Sequence, residues 1–264
     1  MCIECGCHNS VPFGVKVLSV LAPRLLHPRE PVAPAATAVE APPVTPRTIE
    51  IHASLLAKND DAAASNRARF SRQRILALNL VSSPGSGKTT LLSRTVDEFG
   101  LDERCAVVVG DLETDNDARR LHRAHVPVAQ ITTGTACHLD AEMVARGLDG
   151  LALDGVRVMF IENVGNLVCP ADFDLGETLR VVLLSVTEGE DKPLKYPPIF
   201  KSADLVLLTK IDVAGVLGFD RACAVENIRR MAPQARLIEL SARSGEGMDE
   251  WYDFLREHLP ASSS

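Results

Sequence analysis

Ser82-Ser83-Pro84-Gly85-Ser86-Gly87-Lys88-Thr89 stands between an apolar run and a helical pattern. Residues 75–81 before it predict a buried strand, and residues 90–96 after it predict the first turns of a helix. A glycine-rich turn between a strand and a helix is typical of a P-loop, in which backbone N–H groups and the helix N-terminus face a phosphate. The stretch therefore predicts a nucleoside triphosphate site.

Individual residues of this loop have separate predicted roles. Lys88 is expected to neutralise the β- and γ-phosphates, and the Thr89 hydroxyl is expected to reach Mg²⁺. Ser82 occupies the position of the first glycine in the usual pattern, a departure that we expect the loop to tolerate. The loop residues predicted to bind the nucleotide are Gly85, Ser86, Gly87, Lys88, Thr89 and Thr90.

The composition of the chain limits the classes of protein to which it can belong. Its 264 residues carry a net charge of −7, and the pI of about 5.5 argues against an unspecific nucleic-acid surface. No apolar run approaches the ~20 residues that span a membrane, and the first ten residues hold no Lys or Arg, unlike a secretory signal. The seven cysteines favour metal binding in a reducing compartment. We expect a cytoplasmic protein that binds neither nucleic acid nor membrane.

Three regions follow one another along the chain. Residues 1–8 form a tip rich in thiols, with Cys2, Cys5 and Cys7. Residues 9–48 hold eight of the sixteen prolines and predict an extended, disordered linker. An apolar patch between residues 15 and 26 of this linker either docks a partner or is only an apolar piece of linker. Residues 49–264 are predicted to form one nucleotide-binding domain.

Downstream of the P-loop, short apolar runs alternate with helical patterns. Strands are predicted at 106–109, 126–131, 156–161, 179–186, 205–209 and 236–240. Helices are predicted at 49–70, 115–124, 139–148, 221–231 and 248–258. The alternation predicts an α/β fold, a P-loop NTPase with a mainly parallel sheet covered by helices on both faces. Ligand loops then lie at the carboxyl ends of the strands.

Two carboxylates and a glycine at these strand ends extend the phosphate site. Asp111 and Glu162 each close an apolar strand, where a carboxylate can hold Mg²⁺ or its bound water. The alternative for each is an ordinary carboxylate at a helix N-terminus, and we favour the catalytic role. The N–H of Gly165 is positioned to sense the γ-phosphate. Asp111 is thus predicted to join Thr89 as a Mg²⁺ ligand.

A second group of strand ends predicts which base is bound. In Thr209-Lys210-Ile211-Asp212, the Asp212 carboxylate can accept both N–H donors of guanine while the Lys210 stem covers the base. Adenine lacks those donors and would leave the carboxylate unpaired. Ser241-Ala242 is placed to donate a backbone N–H to the guanine carbonyl. Together with the P-loop, these residues favour GTP over ATP.

The cysteines predict two metal sites. Cys137-His138 begins a predicted helix, and Cys169 lies seven residues beyond Glu162. Two thiolates and an imidazole suit Ni²⁺ or Zn²⁺ and leave a coordination position open, as a transient carrier requires. Taken singly, each cysteine is more often a small buried apolar residue. The three thiolates at the chain start cannot be explained by packing, and they predict a second site.

The arrangement as a whole resembles the HypB family, the hydrogenase nickel-incorporation GTPases of the SIMIBI class of P-loop proteins. The segments that carry the resemblance are 1–7, 66–67, 83–92, 133–141, 162–170, 188–197 and 244–248. The resemblance implies slow hydrolysis of GTP to GDP and phosphate, coupled to metal transfer, and a nucleotide-linked homodimer. It also implies nickel or zinc at Cys137, His138 and Cys169 and high-affinity nickel at the N-terminal cysteines.

The resemblance further implies which proteins are the partners of this chain. These are a HypA-type nickel and zinc accessory protein and the hydrogenase large subunit, reached directly or through accessory proteins. Two departures from the family pattern stand out, because Thr209 replaces the usual Asn of N-K-x-D and the linker lacks a histidine-rich tract. We therefore do not expect large-scale nickel storage.

Two other functions stay open at this point. A related carrier GTPase, for example one that serves urease, would share the domain but is not expected to start with Cys-x-x-Cys-Gly-Cys. A nickel or zinc store or sensor would bind metal without needing GTP turnover. Rates of GTP hydrolysis measured with and without metal would distinguish a store or sensor from a carrier.

Overall fold

The computed structural model describes residues 14–17, 46–101, 103–111 and 126–261. The predicted thiol tip at 1–8 and the predicted helix at 115–124 lie outside these residues, as does most of the predicted linker. The division into tip, linker and domain therefore stays a prediction. Among the described residues, no helix has both the length and the apolar character that a membrane crossing requires.

The described elements alternate along the chain. The strands are β1 (Gly14–Val17), β2 (Leu76–Ser82), β3 (Cys105–Asp111), β4 (Val128–Thr132), β5 (Val158–Glu162), β6 (Leu179–Ser185), β7 (Leu205–Thr209) and β8 (Arg236–Leu240). The α-helices are α1 (Pro46–Gln73), α2 (Lys88–Glu98), α3 (Ala141–Asp149), α4 (Lys192–Lys195), α5 (Pro197–Lys201), α6 (Ala214–Leu217), α7 (Arg221–Met231) and α8 (Met248–His258). Short 3₁₀ turns lie at Phe99–Leu101, Cys169–Ala171 and Ile211–Val213.

These strands form one sheet in the order β1-β4-β3-β5-β2-β6-β7-β8. Strands β2 to β8 run parallel, which confirms the predicted mainly parallel sheet. At one edge β1 pairs antiparallel with β4, with Gly14 opposite Thr132. This strand lies inside the stretch that was predicted to be an extended linker, so four linker residues add a strand to the sheet.

Both faces of the sheet are buried because successive side chains of a strand point to opposite sides. On β2, Leu76, Leu78 and Leu80 belong to one buried cluster with Trp251 of α8. Ala77 of the same strand belongs to another cluster, which includes residues of α1 and α3. A third cluster joins β6 and β7 to α5 and α7. The predicted covering of both faces by helices is confirmed.

The predicted start of α3 is wrong, and this boundary affects a candidate ligand pair. The helix predicted from residue 139 begins at Ala141, because the Asp140 carboxylate accepts a hydrogen bond from the Met143 N–H at 2.7 Å. A side chain that satisfies a free N–H of the first turn fixes the helix start. Cys137 and His138 therefore lie in the loop before α3 and not in its first turn.

Helix α1 is fixed to the loops that follow β4 and β5 by two buried asparagines. Asn59 accepts from the Ala141 N–H at 2.9 Å and donates to the Asp174 carbonyl at 2.8 Å. Asn66 donates to the carbonyls of Ala141 and Leu175 at 2.8 and 3.0 Å. These bonds satisfy backbone groups that the loops would otherwise leave unpaired in the interior. The helix thereby holds two neighbouring loops together.

Candidate nucleotide and metal sites

The P-loop connects the carboxyl end of β2 to α2. Gly85 and Gly87 have φ angles of 74° and 103°, in the left-handed region that L side chains rarely adopt. Gly87 is the residue before the helix, so Lys88 and Thr89 form its first turn. The N–H groups of this turn have no partner within the helix and face an anion placed above it. The predicted strand, loop and helix are confirmed.

Ser82, which replaces the usual glycine, contacts the P-loop lysine. The Lys88 ammonium donates to Ser82 Oγ at 2.8 Å, and the Ser86 hydroxyl donates to the same oxygen. All three side chains are buried. The serine thus provides a polar acceptor for a cation that lies away from bulk water, and such a bond is stronger than one between neutral groups. The sequence pattern contained no signal for this contact.

A cleft of about 1060 Å³ lies above the P-loop. Glu162 and Asp111 line it from the ends of β5 and β3, together with Lys88, Thr89 and Gly165. Thr89 Oγ1 donates to Glu162 Oε1 at 2.6 Å. Hydroxyl and carboxylate oxygens are the ligands that Mg²⁺ prefers, so the donors present fit this ion. The structure brings together the residues that were predicted to handle phosphate and magnesium.

The loop after β5 lies directly on the P-loop. A Cβ atom added to Gly165 would stand 2.8 Å from Pro84 Cα and 2.9 Å from Pro84 N. Both of these are backbone atoms that cannot move aside easily, so a side chain at residue 165 would separate the two loops. The loop after Glu162 is therefore positioned to respond to what occupies the P-loop.

A smaller cavity of about 650 Å³ adjoins the P-loop on the side of β7 and β8. Its lining includes Asp212, Ser241 and Ala242, as the predicted base pocket requires. The Thr209 hydroxyl donates to the Ser86 carbonyl at 2.8 Å, and the Lys210 ammonium donates to the Gly85 carbonyl at 2.6 Å. Thr209 therefore still ties this loop to the P-loop, although it cannot supply the amide of the usual asparagine.

Of the predicted donor pair in this cavity, Ser241 uses its backbone N–H within its own loop. The Ser241 N–H donates to the Glu246 carbonyl at 2.8 Å, and its hydroxyl accepts from the N–H groups of Arg243 and Ser244 at 3.2 and 3.1 Å. Ser241 shapes the loop through these bonds. The N–H of Ala242 is then the member of the pair that we expect to meet a base carbonyl.

Cys137, His138 and Cys169 meet where the loops after β4 and β5 come together. Leu139, the residue after His138, donates to Asn163 of the P-loop cleft. Cys137 Sγ lies 2.8 Å from Cys169 Sγ and 3.8 Å from His138 Nδ1, and the candidate ligand atoms all lie within 4.8 Å of one another. The two thiols are half-buried and the imidazole is buried. Among the described residues, this is the one cluster of at least three such side chains that could hold a metal ion.

The surroundings of His138 keep its imidazole neutral. Burial lowers the pKa of His138 from 6.5 to about 4 because the charged form loses its hydration. The ring also lies against Phe173, with 4.0 Å between the ring centroids. A neutral imidazole offers a nitrogen lone pair to a metal. Two sulfur donors and one nitrogen donor fit a borderline or soft divalent ion and leave a coordination position for another ligand.

The other cysteines have different surroundings. Cys105 is buried, and burial raises the pKa of its thiol to about 12, as expected for a structural residue. Cys223 is exposed on α7, where Asn227 lies 3.5 Å from its sulfur. Cys2, Cys5 and Cys7 lie outside the described residues, so their metal site stays a prediction.

The sequence and the fold are similar to those of known proteins. Residues 76–239 match a family described as the CobW/HypB/UreG nucleotide-binding domain. The hydrogenase maturation factor HypB of Azotobacter chroococcum is 55% identical over 216 residues, which are 81% of this chain and 70% of that protein. The hydrogenase/urease maturation factor HypB of Helicobacter pylori is 40% identical over 220 residues, 82% of this chain and 90% of that protein.

A solved structure shares the fold. The crystal structure of HypB from Helicobacter pylori in complex with nickel superposes with a TM-score of 0.72 at 40% sequence identity. The match covers 78% of this chain and 99% of that chain. The similarity thus extends over nearly the whole of that chain.

Proposed function

The chain belongs to the HypB family of hydrogenase maturation factors, and on that premise we propose that it is a GTP-hydrolysing nickel carrier of the cytoplasm. In this function it delivers nickel, or regulates its insertion, during maturation of [NiFe]-hydrogenase. The observation that carries the proposal is the meeting of Cys137, His138 and Cys169, with their ligand atoms within 4.8 Å of one another. Leu139, the residue after His138, donates to Asn163, which lines the P-loop cleft. One short loop joins the nucleotide residues to a metal ligand.

The nucleotide in this proposal is GTP. Asp212 accepts both N–H donors of guanine in the cavity beside β7, and the Ala242 N–H donates to the guanine carbonyl. Lys88 then contacts the β- and γ-phosphates, where its charge stabilises the negative charge that develops during hydrolysis. Thr89 and Asp111 would hold Mg²⁺, with Glu162 on its bound water, and the ion would neutralise phosphate charge.

Nickel is the proposed cargo. The thiolates of Cys137 and Cys169 and the neutral imidazole of His138 supply three donors and leave a position open for a ligand of the receiving protein. Zinc binds the same donor set, and we propose it as the competing ion. Cys2, Cys5 and Cys7 are the proposed high-affinity nickel site. The crystal structure of the Helicobacter pylori HypB in complex with nickel supports this choice of cargo.

We propose that hydrolysis is slow and coupled to the metal. Cys169 lies four residues after Gly165, which contacts the P-loop. If the γ-phosphate fixes this loop and GDP releases it, then Cys169 moves relative to Cys137 and His138. Linkage requires the reverse effect as well, so bound metal changes nucleotide affinity by the same factor. A slow turnover keeps the GTP state in place long enough for metal to be transferred.

The proposed partners are a second copy of this chain, a HypA-type accessory protein and the hydrogenase large subunit. Val216 and Leu217 on α6 are 90% and 52% exposed. They follow the loop that carries Asp212, so a dimer through this apolar face would depend on the bound nucleotide. Apolar side chains grouped on a surface favour burial against another protein.

Nickel titration of the full-length Cys2→Ala, Cys5→Ala, Cys7→Ala variant tests the proposal. We expect the remaining site to bind nickel with affinities that differ at least ~5-fold between the GDP state and a non-hydrolysable GTP state. Cys169→Ala in this background should weaken binding at least ~10-fold and remove the difference. Cys223→Ala, which changes an exposed cysteine of α7, is the matched control. Equal affinities in the two nucleotide states would exclude the coupling.

A carrier for another nickel enzyme is a second candidate, because the Helicobacter pylori relative is described as a hydrogenase/urease maturation factor. Adding the nickel-loaded protein to apo-hydrogenase and to apo-urease separates the two targets. A store or sensor is a third candidate. It would show nickel binding that is indifferent to GTP and hydrolysis that is indifferent to nickel.

A further inference from the structure

One buried side chain joins the loop of the nucleotide cleft to the loop of the candidate metal site. Asn163 follows Glu162 directly and is 1% exposed. Its Oδ1 accepts from the Leu139 N–H at 3.0 Å and from the Val164 N–H at 2.9 Å. Leu139 is the residue after His138, and Val164 is the residue before Gly165. A single oxygen therefore holds the backbone of both loops.

The side-chain amide of Asn163 is also held by a hydrogen bond to the sheet. Its Nδ2 donates to Asn79 Oδ1 at 3.3 Å, and Asn79 Nδ2 donates to Glu177 Oε1 at 3.1 Å. Asn79 lies in the middle of β2 and is fully buried. Because each amide nitrogen donates to the next oxygen, the orientation of one side chain determines that of its neighbour. Asn163 cannot turn without breaking this chain of bonds.

The bonds continue to the segment that carries Cys169. Arg180 and Glu177 form a buried ion pair, with Nη2 2.8 Å from Oε1. The guanidinium also donates to the carbonyls of Ala171 and Phe173 at 3.1 and 2.9 Å. These carbonyls belong to the residues just after Cys169. The polar network thus begins at the loop of His138 and ends at the loop of Cys169.

Asn166 makes a different bridge, between the two cysteine loops themselves. Its Nδ2 donates to the Cys137 carbonyl at 3.3 Å, and its Oδ1 accepts from the Val168 N–H at 2.9 Å. This side chain sets the distance between Cys137 and Cys169 without contacting the residues of the nucleotide cleft through these bonds. The loop after β5 therefore contains two asparagines with different hydrogen-bond partners, so the effects of substituting them can be compared.

We propose that Asn163 is the positioning residue through which the nucleotide state sets the geometry of the Cys137–His138–Cys169 site. The proposal rests on the proposed function, since it requires metal at these three residues. A γ-phosphate that shifts the loop of Gly165 moves the Asn163 side chain with it. The Leu139 N–H must follow, because a buried N–H that loses its acceptor is strongly unfavourable. His138 then moves relative to the thiolate of Cys169.

The test compares the two asparagines in the full-length variant that lacks Cys2, Cys5 and Cys7. Ni²⁺ is titrated into the GDP state and into the state with a non-hydrolysable GTP analogue, and the ratio of the two affinities is taken. We expect Asn163→Ala to bring this ratio close to one. We expect Asn166→Ala to weaken Ni²⁺ binding in both states by a similar factor and to keep the ratio. The absorption bands of bound Co²⁺ should change with nucleotide in the parent and in Asn166→Ala, but not in Asn163→Ala.

Folding is checked by GDP affinity and by the unfolding temperature of each variant. If Asn163→Ala does not retain GDP, Asn163→Ser replaces it, because a hydroxyl can still serve a neighbouring N–H but is too short for Leu139. A parent protein that binds no Ni²⁺ would overturn the proposed function together with this inference. A parent with equal affinities in both states would overturn the proposed coupling together with this inference. A folded Asn163 variant that keeps the ratio would overturn the inference alone and leave the metal site and its coupling intact.

Discussion

The P-loop cleft and the candidate metal site both lie on loops at the carboxyl edge of one sheet, but they are built in opposite ways. The P-loop of the cleft is formed by consecutive residues, in which Gly85 and Gly87 take left-handed backbone angles that let N–H groups face an anion. The metal site collects Cys137 and Cys169, which are 32 residues apart, from two loops. Local sequence therefore determines the first site, whereas the second depends on what holds its loops together.

The difference has an energetic consequence. A site made of backbone N–H groups tolerates substitution at many side chains, and its activity depends strongly on the few charged groups that it contains. A site assembled from separate loops is sensitive to the side chains that position those loops, such as Asn163, Asn166 and Asn59. Binding energy at the metal site can thus be changed from outside the ligand set, which is what a switch requires.

The largest effect is expected at the buried lysine of the P-loop. Lys88→Ala should lower GTP hydrolysis by roughly 100- to 1000-fold, because Lys88 is the P-loop lysine whose charge stabilises the charge that develops on the phosphates. Phosphate release measures the rate. Lys195→Ala, which removes an exposed lysine of α4, serves as control. A wild-type rate in Lys88→Ala would show that the cleft is not the hydrolysis site.

The second-largest effect is expected at the three cysteines of the predicted tip. Changing Cys2, Cys5 and Cys7 together to Ala should weaken the tightest nickel binding by about 100-fold or more. GTP hydrolysis should stay within about twofold, because the predicted proline-rich linker would separate the tip from the domain. Equilibrium competition with a nickel chelator gives the first quantity and phosphate release the second. If hydrolysis fell as much as nickel binding, the tip would have to contact the domain.

The sequence predicts most of the fold because its signals are local. The strands β7 and β8 and the helices α7 and α8 begin and end at the predicted residues, since their apolar periodicity is uninterrupted. The start of α3 was predicted too early because periodicity does not reveal that Asp140 caps the helix. A cap of this kind depends on one side-chain bond and not on the repeating pattern.

Long-range polar contacts could not be predicted in the same way. Asn79 and Glu177 are 98 residues apart in the chain, and Asn163 and Leu139 are 24 apart. Nothing in the spacing of these residues indicates that they meet, because the meeting depends on strand order. The candidate ligands Cys137, His138 and Cys169 were predicted from their chemistry and from the family resemblance. The asparagines that position them have no such signal.

A smaller effect is expected in the cavity that contacts the base. Asp212→Asn should reduce the preference for GTP over ATP by roughly 10- to 100-fold, since the amide cannot accept both guanine donors as the carboxylate does. Competition binding of the two nucleotides measures the ratio. Asp249→Asn, at the start of α8, is a control that keeps the same charge change away from the cavity. An unchanged ratio would remove Asp212 from base recognition and leave the phosphate site unaffected.

The smallest effect is expected at Ser82, where the sequence departs from the usual P-loop. Its Oγ accepts from Lys88 and Ser86 in a buried position. Ser82→Ala should lower the free energy of unfolding by about 1–3 kcal/mol, because two buried donors lose their acceptor. Hydrolysis should fall only roughly 5-fold, since Lys88 keeps its charge and loses only part of its alignment. Ser65→Ala, at an exposed position of α1, is the control.

Ser82→Gly sharpens this last comparison because it restores the common P-loop residue. Glycine removes the hydroxyl as alanine does and adds the entropy cost of a flexible residue at the end of β2, about 0.5–1 kcal/mol. Ser82→Gly should therefore unfold more easily than Ser82→Ala while hydrolysing GTP at a similar rate. If Ser82→Ala were as slow as Lys88→Ala, the serine would act on the phosphates directly. If it changed neither quantity, the contact to Lys88 would carry no energy, and the cleft would depend on its backbone and its lysine alone.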